Sequence, residues 1–169
     1  SLGNTADVLA AVERHGGRAV RLYLAGPHYR SAIELSEAAL VEAAAQLARI
    51  DSFLDRASAL KPGWPAWSAQ DAIPAAFGDA MDDDLGTPAA IAVLFTTVKE
   101  GNIALDAGDD EAALGAYAAV RSMLDVLGLD PSAPEWAGTN GTSDDLKPVV
   151  DGLVGALLEQ RQQARARKD

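Results

Sequence analysis

The chain has 169 residues, of which 49% are hydrophobic and 23% charged, and it contains no cysteine. This composition is ordinary for a globular protein, and the absence of cysteine excludes disulfide bonds and thiolate metal sites. The net charge of −11 argues against a freestanding nucleic-acid binder, because attraction to phosphate supplies most of the affinity of such proteins.

The first two predicted elements are short helices separated by a glycine pair. The first runs from about Thr5 to His15, with a modest apolar stripe formed by Leu9 and Val12. Gly16-Gly17 ends it, because glycine tolerates the left-handed conformation of a helix end. The second runs from Arg18 to Gly26-Pro27, and a short strand is the alternative because apolar residues alternate at Val20, Leu22 and Leu24.

The longest predicted helix extends from Ser36 to about Ser58. Ser36 is expected to cap it, since a serine hydroxyl accepts a hydrogen bond from a first-turn amide, and Glu37 is favourably placed towards the helix dipole. Apolar residues recur as the a and d positions of a heptad, at Leu40, Ala43, Leu47, Ile50, Leu54 and Ala57. This pattern predicts a helix packed lengthwise in a bundle.

A loop and a short helix follow. Residues 59–70 are rich in proline, glycine and tryptophan, and we interpret Trp64 and Trp67 as clamping this loop onto the bundle rather than facing a ligand. The short helix extends from Asp71 to about Met81. The next helix begins at Thr87-Pro88, with the threonine as cap and the proline at the first helical position.

Three helices complete the prediction. The helix after Pro88 has one largely apolar face, formed by Ile91, Leu94, Phe95, Val98, Asn102 and Leu105. The next begins at Asp109 and ends at Gly128, with a stripe at Leu114, Tyr117, Val120, Leu124 and Leu127. Ser143 caps the last helix, which fades beyond Gln160 and whose stripe is Leu146, Val150, Leu153 and Leu157.

Long helices with short connections predict an all-α fold, an antiparallel helical bundle. No apolar run reaches the roughly 20 residues that a membrane helix needs. No charged and then apolar leader opens the chain. We therefore expect a cytoplasmic protein without a membrane partner.

Two polar segments are candidates for chemistry. Asp82-Asp83-Asp84 has the composition of a magnesium site, but three consecutive carboxylates cannot converge on one ion, so we interpret them as anions near a helix N-terminus. His28-Tyr29-Arg30-Ser31 holds residue types found in nucleophilic sites, yet its sequence assigns no carboxylate to orient the histidine. We therefore predict neither a free-standing active site nor a metal site.

Three segments carry a family resemblance. Ser1-Leu2-Gly3-Asn4 resembles the end of the Lys-Met-Ser-Lys-Ser signature of class I aminoacyl-tRNA synthetases, with Ser1 as the last signature residue. His28-Tyr29-Arg30-Ser31 followed by Leu35-Ser36-Glu37 is similar to the His-Tyr-Arg-Ser-Pro-Leu-Asn-Phe-Ser-Glu segment of bacterial cysteinyl-tRNA synthetases. Residues 80–88 resemble that family's Ala-Met-Asp-Asp-Asp-Phe-Asn-Thr-Pro segment. The last two segments are specific to that family, and their order and separation agree with it.

The resemblance covers roughly residues 1–168 and implies a division of labour. The parent enzyme activates cysteine with ATP, uses a zinc ion to recognise the substrate thiolate, and transfers cysteine to tRNA(Cys). The zinc ligands and signature lysines of the family are absent from this chain, which is therefore expected to be inactive alone and to need the catalytic domain of the same polypeptide. A monomer is expected.

The resemblance also implies three regions. Residues 1–35 form the end of the signature loop and a small stem-contact helical region. Residues 36–160 form a helical bundle of the type that binds the anticodon stem. Residues 161–169 are the basic start of an anticodon-binding domain that lies beyond them.

Charge is distributed unevenly along the chain. Both ends carry an excess of arginine and lysine, whereas the middle is strongly acidic. We therefore expect RNA to contact the ends and the acidic middle to face water. The predicted phosphate contacts are Arg14, Arg18, Arg21, Arg161, Arg165 and Arg167, which would position an RNA without reading its sequence.

Departures from the family segments leave two alternatives. Gly26-Pro27 precedes the His28-Tyr29-Arg30-Ser31 segment, Ala32-Ile33 replaces Pro-Leu, and Leu85-Gly86 replaces Phe-Asn. The paralogous ligase that joins cysteine to a glucosaminyl inositol in mycothiol synthesis is one alternative. An independent helical module that binds another protein is the second, and the acidic middle supports it.

Overall fold

The computed structural model describes residues 8–34, 36–60 and 73–136, and these residues form six α-helices. The helices are α1 (Val8–His15), α2 (Gly17–Ala25), α3 (Glu37–Ser58), α4 (Ala75–Asp82), α5 (Thr87–Ala107) and α6 (Asp110–Val126). No strand occurs in the described ranges, and the predicted all-α bundle is confirmed. The predicted last helix and the loop with Trp64 and Trp67 lie outside these ranges.

The first two helices are short and meet at a glycine turn. Gly16 ends α1 as predicted, but its φ of 84° and ψ of 147° differ from the predicted left-handed helical conformation, although the positive φ still favours glycine. The segment that follows is the helix α2, so the strand alternative is wrong. The predicted stripe of α1 is half right, because Val12 is partly buried against Ala11, whereas Leu9 is 75% exposed. Eight residues are too few for the apolar pattern to fix which face packs.

The longest helix, α3, packs against α1, α2, α5 and α6. All six residues of the predicted heptad pattern are buried, so this prediction is confirmed. Ser36 occupies the N-cap position as predicted, but its side chain makes no capping hydrogen bond.

The close approach of α3 and α5 depends on Gly101. A Cβ atom at Gly101 would lie 2.5 Å from two ring carbons of Phe53 and 2.9 Å from the Cβ of Ala116. Phe53 is almost fully buried, and its ring occupies the space that a larger residue at position 101 would need. The sequence pattern did not indicate this contact, because a glycine within a helical stripe carries no apolar signal.

The ends of α4, α5 and α6 follow local sequence with small shifts. Gly86 is the N-cap of α5 and Thr87 its first residue, so the predicted threonine cap is wrong by one position. The predicted start of α6 is confirmed, because the Asp109 carboxylate accepts a hydrogen bond of 3.0 Å from the Ala112 amide. Two residues join α5 to α6, which makes these neighbours an antiparallel pair.

The chain divides into two units, Ser1–Ala133 and Pro134–Asp169, and all six helices lie in the first. The predicted boundaries at residues 35 and 160 stay predictions. Across the described ranges, no helix combines the length and the apolar character that a membrane crossing requires.

Candidate nucleic-acid interface

Arg14 is exposed, unlike Arg18, among the predicted phosphate contacts that the structure describes. Its side chain is 64% exposed at the end of α1, and Nη1 lies 3.2 Å from a carboxylate oxygen of Glu37. The other carboxylate oxygen lies 2.9 Å from Nε2 of His15. Desolvation acts to raise the pKa of Glu37, but the hydrogen bonds with Arg14 and His15 outweigh it and lower that pKa. An exposed pair of this kind is weak and can exchange its carboxylate for phosphate.

Arg18 is engaged inside the protein. Its Nη1 and Nη2 atoms donate to the two carboxylate oxygens of Asp51 at 2.8 and 2.9 Å, and Nε donates to the carbonyl oxygen of Leu129 at 3.0 Å. Only 11% of the side chain is exposed. This geometry joins α2, α3 and the segment after α6, and it gives Arg18 a structural role that leaves little of it for an RNA.

Arg21 lies against the end of α6. Gly128 has φ 64°, and Nη1 of Arg21 is 2.4 Å from the position that a Cβ of residue 128 would take. The residue is exposed and has a partner within the protein. Its contact with phosphate stays a prediction, as do those of Arg161, Arg165 and Arg167, which lie with Ser1 outside the described residues.

The two internal motif segments meet at Asp84. Its Oδ1 atom accepts hydrogen bonds from the Tyr29 hydroxyl at 2.8 Å and from Nη2 of Arg30 at 3.3 Å. Its Oδ2 atom lies 3.7 Å from Nε2 of His28. Nε of Arg30 also donates to the Tyr29 hydroxyl at 2.8 Å, and the His28 and Tyr29 rings stack with centroids 4.7 Å apart. The three side chains and one carboxylate form a single polar junction.

The backbone around Asp84 explains how its side chain reaches this junction. Asp84 and Leu85 both have φ 53°, so two consecutive residues lie in the left-handed region. Gly86 then turns the chain back and donates from its amide to the Ala80 carbonyl at 3.0 Å. On the other side of the turn, the Thr87 hydroxyl donates to the Pro27 carbonyl at 3.4 Å.

The contact between the two segments is missed by the sequence analysis, in which each segment has its own interpretation. The aspartate triplet was assigned to the helix dipole alone, and no carboxylate was assigned to His28. In the described ranges, Asp84 is the member of the triplet that binds side chains. The one signal available was that both segments match the same family, which does not reveal that they touch.

The same ranges offer no ligand set for the cofactors that the resemblance implies for the parent enzyme. They contain no group of three or more histidine and acidic side chains placed to hold a metal ion. Asp84 of the triplet is instead engaged by Tyr29, Arg30 and His28, and this junction is a contact between protein segments.

Comparison with known proteins identifies the region. Residues 76–129, which cover nearly all of α4, α5 and α6, match the family model of the DALR domain. All of the chain aligns with cysteine–tRNA ligases of Cutibacterium acnes (52% identity) and Streptomyces avermitilis (50% identity). The predicted resemblance to cysteine–tRNA ligases is confirmed.

The similarity concerns one part of those ligases. The chain spans 35% of the C. acnes ligase and 36% of the S. avermitilis and Streptomyces griseus ligases, and it is 52% identical to the last of these. The matching part is C-terminal. The contact at Asp84 therefore joins the DALR match to the segment that precedes α3, inside a region similar throughout to these ligases.

Proposed function

We propose that this chain is the tRNA-docking helical part of a cysteine–tRNA ligase, an enzyme that activates cysteine with ATP and transfers it to tRNA(Cys). The observation that carries this proposal is the alignment of the whole chain with ligases at 50–52% identity. The DALR match supports it further, because that domain is a helical anticodon-binding fold.

The chemistry belongs to the rest of the parent polypeptide in this proposal. ATP and zinc bind there, and the 169-residue chain alone forms no cysteinyl-adenylate. What its own residues do is hold the RNA while the catalytic domain acts. Positioning of this kind lowers the entropic cost of bringing the tRNA acceptor end to the activated amino acid.

Arg14 and Arg21 are the proposed phosphate contacts near the start of the chain, and Arg161, Arg165 and Arg167 those near its end. Arg14 is the best supported of them, because it is exposed and its present partner is an exposed carboxylate. Arg18 is proposed to act indirectly, by fixing α2 against α3.

The comparisons favour the tRNA ligase over the mycothiol paralogue, because the relatives described above are all named cysteine–tRNA ligases. The independent protein-binding module remains the alternative to be tested against RNA binding. A cytoplasmic location and a monomeric state stay predictions of the proposal.

Titration of the chain with a bacterial cysteine tRNA and with an unrelated tRNA tests the proposal. We expect weak binding that falls steeply between about 50 and 200 mM salt, because counterions are released from phosphate. Arg14→Ala is expected to reduce the slope of log K against log salt by about one. Absence of tRNA binding even at the lower salt contradicts the proposal and favours the protein-binding module.

A further inference from the structure

A groove of about 520 Å³ runs between α3 and α5, the two longest helices that the structure describes. Its lining combines cationic, polar and apolar side chains and contains no acidic residue, namely Ala48, Arg49, Ser52, Phe95, Val98, Lys99 and Asn102. This composition is unusual in a chain with 25 acidic and 14 basic residues.

Arg49 and Lys99 differ from the other cationic side chains of the described ranges. Both are exposed, and neither has an ion pair or hydrogen bond with a described residue. The other arginines in these ranges are all engaged, by acidic partners or, for Arg21, by another contact. The two unpaired cations therefore line the same groove, one on each helix.

We propose that the groove between α3 and α5 binds the phosphate backbone of an RNA through Arg49 and Lys99. This inference rests on the proposed tRNA docking and changes its location, because the sequence predicted RNA contacts at the chain ends and an acidic middle facing water. The planar guanidinium of Arg49 suits bidentate contact with phosphate, and the ammonium of Lys99 acts as a point charge.

The exposed lining of the groove suits a backbone that lies along the surface rather than a small anion enclosed in a pocket. The lining residues lie within 48–52 of α3 and 95–102 of α5, so the groove extends for about 10 Å along α5. Ala48, Arg49, Ser52 and Lys99 are exposed, so the groove is open along its length. Phe95 and Val98 supply an apolar wall between the charges, which suits a ribose.

Arg56 extends the same side of the protein with a cation that is already neutralised. Its Nη1 donates to the Asn102 side chain at 2.7 Å, and Nη2 donates to Asp106 at 2.6 Å. Asn102 also donates to the Val98 carbonyl at 3.0 Å. The bonds of Arg56 therefore join α3 to α5 beside the groove, whose two cations have no partner among the described residues.

The test compares the double variant Arg49→Ala/Lys99→Ala with the unchanged chain, in titrations with a bacterial cysteine tRNA and an unrelated tRNA at several salt concentrations. The matched control is Ala112→Glu/Gly115→Glu, which changes the net charge equally at two exposed α6 positions outside the groove lining. Urea unfolding confirms that each variant is folded, which we expect because neither Arg49 nor Lys99 has a described partner to lose.

We expect the double variant to bind about tenfold more weakly at 0.1 M salt. The slope of log K against log salt is expected to fall in magnitude by about two. The loss is expected to be equal for both tRNAs, since phosphate contacts carry no sequence information. Lys99→Arg is expected to retain binding.

Three results would overturn the inference. Unchanged affinity and an unchanged salt slope in the double variant would show that the groove does not bind RNA, while the proposed docking function would stand. An equal loss in the control assigns the effect to net charge. Loss of binding to a polyglutamate peptide, with tRNA binding retained, assigns the groove to an acidic protein segment. Failure of the unchanged chain to bind any tRNA instead removes the proposed function itself.

Discussion

The Tyr29 hydroxyl donates a hydrogen bond of 2.8 Å to the carboxylate of Asp84, 55 residues further along the chain. This bond joins the loop after α2 to the turn that precedes α5. Each residue comes from a segment that resembles cysteinyl-tRNA synthetases. Both segments therefore have a structural role, because each supplies side chains to the junction at Asp84.

The junction predicts a specific stability loss for Asp84→Asn. Asparagine tolerates the left-handed conformation of this residue and still accepts from Tyr29, but it loses the charge that attracts Arg30. We expect a decrease of about 1 kcal/mol in the free energy of unfolding, measured with urea, because the pair is exposed. The loss is expected to disappear in about 1 M salt, which screens exposed charges.

Asp83→Asn is the matched control for the junction. Asp83 is an exposed neighbour in the same triplet and has no side-chain partner among the described residues. Its substitution is expected to change the free energy of unfolding by less than about 0.5 kcal/mol. Equal losses at positions 83 and 84 would show that the junction contributes nothing beyond local charge.

Two helical glycines predict opposite effects of the same substitution. Gly101→Ala places a methyl group against the buried Phe53 ring and is expected to destabilise the protein by about 1–3 kcal/mol. Gly115 is exposed and a Cβ there meets nothing within 4 Å, so Gly115→Ala is expected to stabilise by about 0.5–1 kcal/mol. Thermal unfolding of both variants measures the difference, and a shift of the same sign in both contradicts the packing of α3 on α5.

We expect the Arg18→Ala variant to lose stability. In a binding assay, this loss would look the same as the loss of an RNA contact. Arg18→Ala removes three hydrogen bonds and leaves Asp51 without its cation, so we expect about 3 kcal/mol of destabilisation. Arg14→Ala removes one exposed pair and is expected to cost less than about 0.5 kcal/mol. Urea midpoints of the two variants distinguish them. If Arg18→Ala is as stable as Arg14→Ala, the structural role of Arg18 is wrong.

Glu37 predicts a pH dependence of stability. Its pKa in the folded protein lies below the ordinary value of 4.5, chiefly because hydrogen bonds with Arg14 and His15 outweigh desolvation. The folded state therefore favours the carboxylate, and the resulting stability is complete above pH 4.5 and is lost as the pH falls through the lowered pKa.

Urea unfolding of Glu37→Gln at neutral and acidic pH measures this dependence. We expect the variant to be less stable than the unchanged chain at neutral pH and the difference to shrink in acid. Glu42→Gln is the control, since the Glu42 carboxylate accepts a hydrogen bond from Gln46 and makes no ion pair with a described residue. A difference at position 37 that is constant with pH contradicts the assignment.

Local sequence predicted the elements whose signals are local. The heptad pattern of α3 identified six buried residues, because a long helix repeats its packing face several times. Gly16 and Gly108 follow the ends of α1 and α5 with positive φ, a backbone region that few other residues adopt at low cost. In contrast, the stripe predicted for the short helix α1 is wrong at Leu9.

The candidate site was harder to predict because its contacts are distant in sequence. Counting positive charge near the start of the chain selected Arg14 and Arg18 equally, yet one is exposed and the other is held by Asp51. The same counting placed the middle of the chain in water as an acidic surface. A net charge summed over the middle of the chain does not reveal Arg49 and Lys99, which line one groove only because α3 packs on α5.

The hydrogen bond from Arg18 to the Leu129 carbonyl spans 111 residues and so bears on synthesis of the protein. Translation proceeds at roughly 5–20 residues per second, so Leu129 is made several seconds or more after Arg18. Asp51, the other partner of the guanidinium, is made 33 residues after Arg18, so the carbonyl acceptor is the last partner to be synthesised. The set of three hydrogen bonds that joins α2, α3 and the segment after α6 therefore cannot be complete before the end of α6 has been synthesised.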